Sequence, residues 1–180
     1  YQVDRLAACR AIIRREILGR KKARPHAIAH DWRGLVDQGL DQPLPKGTAD
    51  RELEQRARAE KAVALEQIFC SRLSVLVGPA GTGKTTLLRM LCARPEVAAK
   101  GLLLLAPTGK ARVRLEEQTG LRGSGFTLAQ FLNRYQRYDG ARGAYFPNAK
   151  VPRCGEYRTV IVDECSMLTE EQLAALIDSL

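Results

Sequence analysis

The sequence lacks the features of a membrane or secreted protein. No apolar run exceeds five residues, the length of 102–106 between Gly101 and Pro107, whereas a membrane-spanning helix needs about 20 apolar residues. Its five cysteines include no CxxC pair, so neither a zinc site nor a disulfide framework is indicated. We therefore expect a cytoplasmic protein with reduced cysteines and no membrane partner.

Internal repeats and low-complexity tracts are also missing. A chain of 180 residues has room for one domain with a real core, or for one domain and an appendage. We predict a helical, basic extension with a linker at 1–48 and a nucleotide-binding domain at 49–180.

Positive charge is concentrated near the N-terminus. The net charge is +9, and residues 1–34 hold nine Lys and Arg against three acids. Such a patch attracts phosphate backbones by releasing counterions, but a solvated helix face has the same composition, and the sequence does not separate the two interpretations. The densest cluster consists of Arg14, Arg15, Arg20, Lys21, Lys22 and Arg24.

The first 70 residues predict two helices and a linker. Apolar residues at helical spacing predict a helix over 3–18 with Gly19 as its C-cap. Glycines and prolines predict a loop over 33–47, and a second helix is expected over 50–69. His26 and His30 are spaced i, i+4, but no third ligand accompanies them, so a metal site is not predicted.

A glycine-rich stretch at 78–86 matches the phosphate-binding pattern GxxxxGK[ST] at every required position. It follows an apolar, β-rich segment at 73–77 and opens an amphipathic stretch that predicts a helix over 83–93. Glycines allow consecutive backbone N–H groups to point at phosphate oxygens, and a helix N-terminus favours anions. The predicted nucleotide contacts are Gly78, Pro79, Ala80, Gly81, Thr82, Gly83, Lys84, Thr85 and Thr86.

Two side chains of this loop have predicted chemical roles. Lys84 is expected to reach the β- and γ-phosphates of ATP and to act in catalysis, and the Thr85 hydroxyl is expected to bind Mg²⁺. A glycine-rich turn without a ligand is the alternative, and the full match with its flanking elements argues against it.

A second signal lies about 80 residues further on, where the β-branched run 157–162 ends in Asp163 and Glu164. We expect Asp163 to hold Mg²⁺ through its water shell and Glu164 to polarise the attacking water as a general base. Alone, this pattern is weak and is more typical of a solvated strand end. Together with the phosphate loop it predicts a nucleotide-hydrolysing site.

Strands and helices alternate after residue 73. This order implies an α/β fold with a parallel sheet flanked by helices. Thr169 and Gln172 form a capping box for the last helix, and 139–155 is predicted to be a mobile loop. The predicted strands are 73–77, 101–106 and 157–162, and the predicted helices are 83–93, 109–118, 127–138 and 170–180.

Further segments carry a resemblance to a known family. The run 104–111 reads Leu-Leu-Ala-Pro-Thr-Gly-Lys-Ala, the run 163–167 reads Asp-Glu-Cys-Ser-Met, and Gln67 lies eleven residues before Gly78. With the phosphate loop, these segments resemble the first RecA-like lobe of superfamily one helicases, most closely the RecD-type group of 5′-to-3′ DNA helicases. The resemblance covers roughly residues 60–175.

The resemblance implies a RecA-like P-loop NTPase and further site residues. Gln67 corresponds to the family's adenine-reading Gln, and Thr108, Gly109 and Lys110 correspond to a segment that grips single-stranded DNA. Thr108 could instead only cap the following helix. Thr127 is a second candidate DNA contact, although Ala129 stands where the family commonly has His.

The function expected from the resemblance is an ATP-dependent DNA helicase or translocase. The family works with a second RecA-like lobe, so this chain is expected to be the first lobe of a longer protein and a weak hydrolase by itself. A P-loop kinase of a nucleotide or small molecule, or a non-catalytic module gated by nucleotide, is the alternative.

Overall fold

The structure is a computed structural model in which residues 2–26, 29–40, 47–79, 81–99 and 101–180 are described. The chain divides into two compact units: residues 1–19 with 95–180 form unit 1, and residues 20–94 form unit 2. These units do not test the predicted division into an extension and a nucleotide-binding domain at residue 48, which stays a prediction.

The first helix, α1 (Gln2–Lys22), is longer than predicted. Gly19 was expected to end it, but Gly19 lies inside the helix at an exposed position where an added Cβ would meet no atom within 4 Å. A helical glycine costs only about 1 kcal/mol, and the flanking residues continue the helix to Lys22. The C-cap prediction was wrong by about one turn.

A helix also occupies most of the predicted linker at 33–47. Helix α2 (Trp32–Leu40) buries Trp32 and Val36. Its glycines are sites of close packing, since a Cβ at Gly34 would collide with the Asp31 carboxylate and one at Gly39 would approach the Met90 side chain. Two glycines were therefore misread as a loop signal, and residues 41–46 lie outside the described residues.

Helices α3 (Thr48–Cys70) and α4 (Lys84–Cys92) confirm two predicted helices of unit 2. Helix α3 packs against α2 and α4. Its buried Phe69 lies 5.2 Å from the Trp32 ring and 5.6 Å from the His30 ring. His30 is thus part of an aromatic cluster, and no group of three potential metal ligands occurs among the described residues.

The segment 73–77 was predicted to be a strand but does not form one. Leu73, Val75 and Val77 are exposed. A β-strand is defined by hydrogen bonds to a neighbouring strand, and the sheets found among the described residues do not include this segment. The apolar character of 73–77 was read correctly, but the prediction that this segment pairs as a strand of the sheet was wrong.

Unit 1 contains a three-stranded parallel sheet in which β1 (Leu102–Ala106) lies between β2 (Gly125–Thr127) and β5 (Thr159–Val162). Leu104 lies opposite Gly125 on one side and Ile161 on the other. Strands β1 and β5 confirm two predictions, whereas β2 was not predicted. In chain order the elements are α5 (Pro95–Ala98), β1 (Leu102–Ala106), α6 (Gly109–Thr119), β2 (Gly125–Thr127), α7 (Leu128–Arg134), β3 (Tyr138–Asp139), β4 (Ala144–Tyr145), β5 (Thr159–Val162), a 3₁₀ turn (Cys165–Met167) and α8 (Glu170–Ser179).

Helices flank this sheet, as the alternating pattern predicted. Leu103 and Leu105 of β1 pack with Phe131 of α7 and Leu176 of α8 in the core of the unit. Alternate strand residues face opposite sides, so the buried Leu104 lies on the other face, and α6 also contacts β1. The α/β fold with a helix-flanked parallel sheet is confirmed.

The segment predicted to be a mobile loop, 139–155, is anchored in the structure. Strands β3 and β4 form an antiparallel hairpin. The buried Arg137 donates to the Asp178 carboxylate at 2.8 Å and to the carbonyl oxygens of Asn148 and Val151. Asp178 also accepts from the Asn148 N–H at 2.8 Å. Helix α8 therefore holds this segment through one buried ion pair.

Candidate nucleotide and nucleic-acid site

The phosphate loop has the backbone conformation that its glycines predicted. Gly81 and Gly83 take φ values of 80° and 84°, in the region that only glycine adopts at little cost. Gly83 is the N-cap of α4, and no side chain caps it. The first N–H groups of α4 are therefore not engaged by a capping side chain, which is the donor arrangement that a phosphate group requires. Ala80 lies outside the described residues.

Lys84 lies at the first position of α4, and its side chain folds back over the loop. Its ammonium group donates to the carbonyl oxygens of Gly78 at 2.5 Å and Pro79 at 2.7 Å. Thr82 donates its hydroxyl to the same Pro79 oxygen at 2.9 Å. These bonds fix the cationic group at the loop, beside the residues predicted to hold the phosphates. Thr85 and Thr86 follow in the first turn of α4 and are half-buried.

Gln67 is exposed near the C-terminal end of α3 and lines a pocket of about 290 Å³. The other lining residues come from α3 and from the segment that leads into the phosphate loop. They are Ala64, Ile68, Ser71, Leu73, Ser74, Val75 and Leu76. The lining thus combines apolar side chains with polar groups of Gln67, Ser71 and Ser74.

The carboxyl ends of β1, β2 and β5 lie at one edge of the sheet, because the three strands are parallel and in register. Ala106 lies opposite Thr127, Leu105 lies opposite Val162, and the Asp163 N–H continues this ladder to the Leu105 oxygen at 2.9 Å. In parallel α/β sheets, ligands bind at this edge.

The two acids at the end of β5 differ in exposure and backbone conformation. Asp163 is half-buried. Glu164 is exposed and takes a left-handed conformation, with φ 51° and ψ 35°, as the N-cap of the 3₁₀ turn. Such a conformation costs a non-glycine residue about 1–3 kcal/mol and is enriched at functional sites. The sharp reversal presents the Glu164 carboxylate to solvent at the sheet edge.

The candidate DNA contacts lie at the same edge and cap its helices. Thr108 accepts a hydrogen bond from the Ala111 N–H at 3.2 Å, which confirms its capping role. Thr127 accepts from the Gln130 N–H at 3.2 Å in a full capping box. Gly109 and Lys110 are exposed in the first turn of α6. The structure brings together all four residues that the resemblance associated with DNA.

A residue that supports β2 was missed in the sequence. Glu116 of α6 is buried and accepts from the Gly125 N–H at 2.8 Å and from Arg112 at 2.8 Å. Burial opposes its ionisation, but the N–H groups of Gly125 and Gly123 and the Arg112 guanidinium outweigh that cost and lower the pKa of Glu116. Glu116 thereby fixes the start of β2, whose end carries Thr127. Arg112 and Glu116 are spaced i, i+4 on the helix, a spacing that brings two side chains of one helix face together.

The basic helix α1 makes ion pairs within unit 1 that the sequence did not indicate. Arg10 pairs with Glu170 at 2.8 Å, and Arg5 pairs with Glu171 at 3.1 Å. Glu16 accepts from Arg15 and from Arg153. These pairs engage Arg15 of the predicted basic cluster, whereas Arg14, Lys21, Lys22 and Arg24 are exposed. Both interpretations of the cluster stay predictions.

Residues 54–180 match the AAA domain family. The chain belongs to the AAA domain family. The match begins in α3 and includes both the phosphate loop and the acids at the end of β5. Membership in this family agrees with the loop geometry, and a nucleotide-binding P-loop fold follows from both. Among the described residues of this AAA domain, no helix combines the length and apolar character that crossing a membrane requires.

Two relatives of this AAA domain are RecD-type proteins. It is 34% identical over 135 residues to the ATP-dependent RecD2 DNA helicase of Deinococcus radiodurans, covering 73% of this chain and 18% of the relative. It is 30% identical over 181 residues to the RecBCD enzyme subunit RecD of Mycolicibacterium smegmatis, covering 91% of this chain and 29% of the relative. The resemblance to RecD-type proteins is confirmed, and the chain spans less than a third of either relative.

Proposed function

We propose that this AAA domain is the ATP-binding motor lobe of a DNA helicase or translocase. One observation carries the proposal: two left-handed glycines precede an uncapped helix N-terminus in a domain similar to an ATP-dependent DNA helicase. The kinase and non-catalytic alternatives have no comparable support.

Each functional group of the loop and of β5 has a role in this proposal. The loop amides and Lys84 hold the β- and γ-phosphates, and Thr85 and Asp163 hold Mg²⁺, Asp163 through water. Glu164 orients and deprotonates the attacking water, for which its exposed carboxylate is suited. ATP with Mg²⁺ supplies the phosphoanhydride bond whose hydrolysis drives the motor.

The pocket beside Gln67 is the proposed site of the adenine ring. Apolar side chains of its lining can pack against a planar base, and the Gln67 amide carries both donor hydrogens and acceptor lone pairs for the ring edge. Leu73 to Leu76 line this pocket and lead directly into the loop at Gly78. The base and the phosphates would thus bind to adjacent stretches of unit 2.

Single-stranded DNA is the proposed partner of the sheet edge formed by Thr108, Gly109, Lys110 and Thr127. The threonine oxygens accept helix N–H groups, but each hydroxyl retains a proton that it can donate to a phosphodiester oxygen. Lys110 adds a compact positive charge.

We further propose a second RecA-like lobe of the same protein as a partner. We also propose the cytoplasm as the location, because all five cysteines are free.

Titration with a fluorescent ATP analogue and Mg²⁺ tests the proposal. The wild-type chain is expected to bind, and Lys84→Ala to bind about 10- to 100-fold more weakly, because a hydrogen bond to a charged group contributes about 1.5–3 kcal/mol. Lys150→Ala, which removes an exposed lysine of unit 1, is the matched control and is expected to bind like wild type. A wild-type chain that does not bind at millimolar nucleotide contradicts the proposal.

A further inference from the structure

A lysine outside the GxxxxGK[ST] pattern lies against the phosphate loop. Lys61 is half-buried on α3, 22 residues before Gly83 in the sequence. A Cβ added to Gly83 would come within 3.2 Å of Lys61 Cε and 3.9 Å of its Nζ. The ammonium group of Lys61 therefore lies next to the glycine that starts α4.

This position is electrostatically unfavourable for a cation unless an anion is also bound. The N-terminus of a helix carries about half a positive charge, and Lys84 places a second ammonium group in the first turn of α4. Among the described residues, none forms a hydrogen bond or an ion pair with Lys61. Its neighbours on α3 differ, because Arg58 pairs with Glu54 at 2.7 Å and Arg56 with Glu60 at 3.6 Å.

We propose that Lys61 is a second cation of the phosphate site and contacts the β- or γ-phosphate of a bound nucleotide from the α3 side. The inference rests on the proposed nucleotide function of the loop. A nucleoside diphosphate or triphosphate neutralises the clustered positive charge of Lys61, Lys84 and the α4 N-terminus, and an unphosphorylated nucleoside does not. Lys61 thus favours phosphorylated ligands, whereas the Gln67 pocket selects the base.

Affinities for ATP·Mg, ADP·Mg and adenosine, measured by competition against a fluorescent ADP, test this role. Lys61→Met keeps most of the apolar stem and removes the charge, so it is expected to weaken ATP and ADP about tenfold and to leave adenosine within about twofold. Lys61→Arg restores the charge and is expected to recover most of that loss. Arg51→Met, at an exposed cation of the same helix, is expected to bind all three ligands like wild type.

The outcomes separate this inference from the proposed function. If the wild-type chain binds none of the nucleotides, the proposed function fails. If it binds them and Lys61→Met binds them equally well, or loses adenosine to the same extent as ATP, the role of Lys61 is overturned. Thermal unfolding midpoints verify folding, and Lys61→Gln replaces Lys61→Met if the latter unfolds.

Discussion

Glu164 and Gln136 are the non-glycine residues with a positive φ in the part of the chain that the structure describes, and Glu164 lies at the candidate site. Its left-handed conformation directly follows the last residues of β5, and a glycine or asparagine would adopt it more readily. Such conformations cluster at functional sites but also occur elsewhere, as at Gln136. The backbone at Glu164 therefore agrees with the general base that the Asp-Glu pair predicted, and the role itself stays a prediction.

We predict that Glu164→Gln separates binding from hydrolysis. The amide keeps the size of the side chain but cannot take a proton, so ATP·Mg affinity is expected to stay within about threefold of wild type while the rate of hydrolysis falls about 100-fold or more. Single-turnover hydrolysis, with the chain in excess over radiolabelled ATP, measures this rate.

The matched control for this experiment is Glu117→Gln, which changes an exposed carboxylate on α6. It is expected to hydrolyse ATP at the wild-type rate. Equal rates for wild type and Glu164→Gln would contradict a hydrolytic role for Glu164 and favour the non-catalytic module. The two variants differ from wild type by the same chemical change, so a general effect of lost charge cannot explain a difference between them.

At the scale of single elements, the sequence predicted what local patterns determine. The phosphate loop, α4, β1 and β5 follow from motif spacing and apolar runs, and the capping box at Thr169 follows from a residue pair three apart. The missed elements depend on partners distant in sequence. Gly34 and Gly39 lie in α2, which packs against α3 and α4. The short strand β2 exists because it pairs with β1.

Residues that act through tertiary contacts were equally hard to predict. Lys61 has no motif around it, and its proximity to Gly83 results from the packing of α3 against α4. The partner of Glu116 across the turn, the Gly125 N–H, becomes visible only once α6 and β2 are in place. Both residues support the candidate site from outside the sequence motifs.

The link between α6 and β2 predicts a pH-dependent stability. The folded-state pKa of Glu116 is lowered below the value of about 4.3 expected in the unfolded chain. Its carboxylate therefore stabilises the fold fully above about pH 4.3, and this contribution is lost as the pH falls through the lower, folded-state pKa. We predict that Glu116→Gln lowers the free energy of unfolding by about 1–3 kcal/mol at pH 7.

The difference between wild type and Glu116→Gln is expected to shrink as the pH is lowered below 4.3. Urea unfolding at a series of pH values measures it. Glu117→Gln changes the adjacent, exposed carboxylate and is expected to stay within about 0.5 kcal/mol of wild type. A difference for Glu116→Gln that does not vary with pH would show that the ionised carboxylate is not what holds Gly125.

At the scale of the whole molecule, the proposed motor divides its parts between two units. The phosphate loop, Lys61 and the Gln67 pocket belong to unit 2, and the sheet edge with Asp163, Glu164 and the candidate DNA contacts belongs to unit 1. The segment 73–77 connects α3 to the phosphate loop, and its Leu73, Val75 and Val77 side chains are exposed.

We predict that the chain by itself binds ATP·Mg but hydrolyses it slowly, at about 0.01 s⁻¹ or less. An arginine supplied in trans by a second lobe is worth about 10³- to 10⁵-fold in rate, and typical enzymes turn over at about 10 s⁻¹. Steady-state phosphate release with and without single-stranded DNA measures this rate. Turnover near 1 s⁻¹ that is independent of DNA and abolished by Glu164→Gln would mean that the catalytic groups are complete within these 180 residues, and the proposal of a lobe that depends on a partner would be wrong.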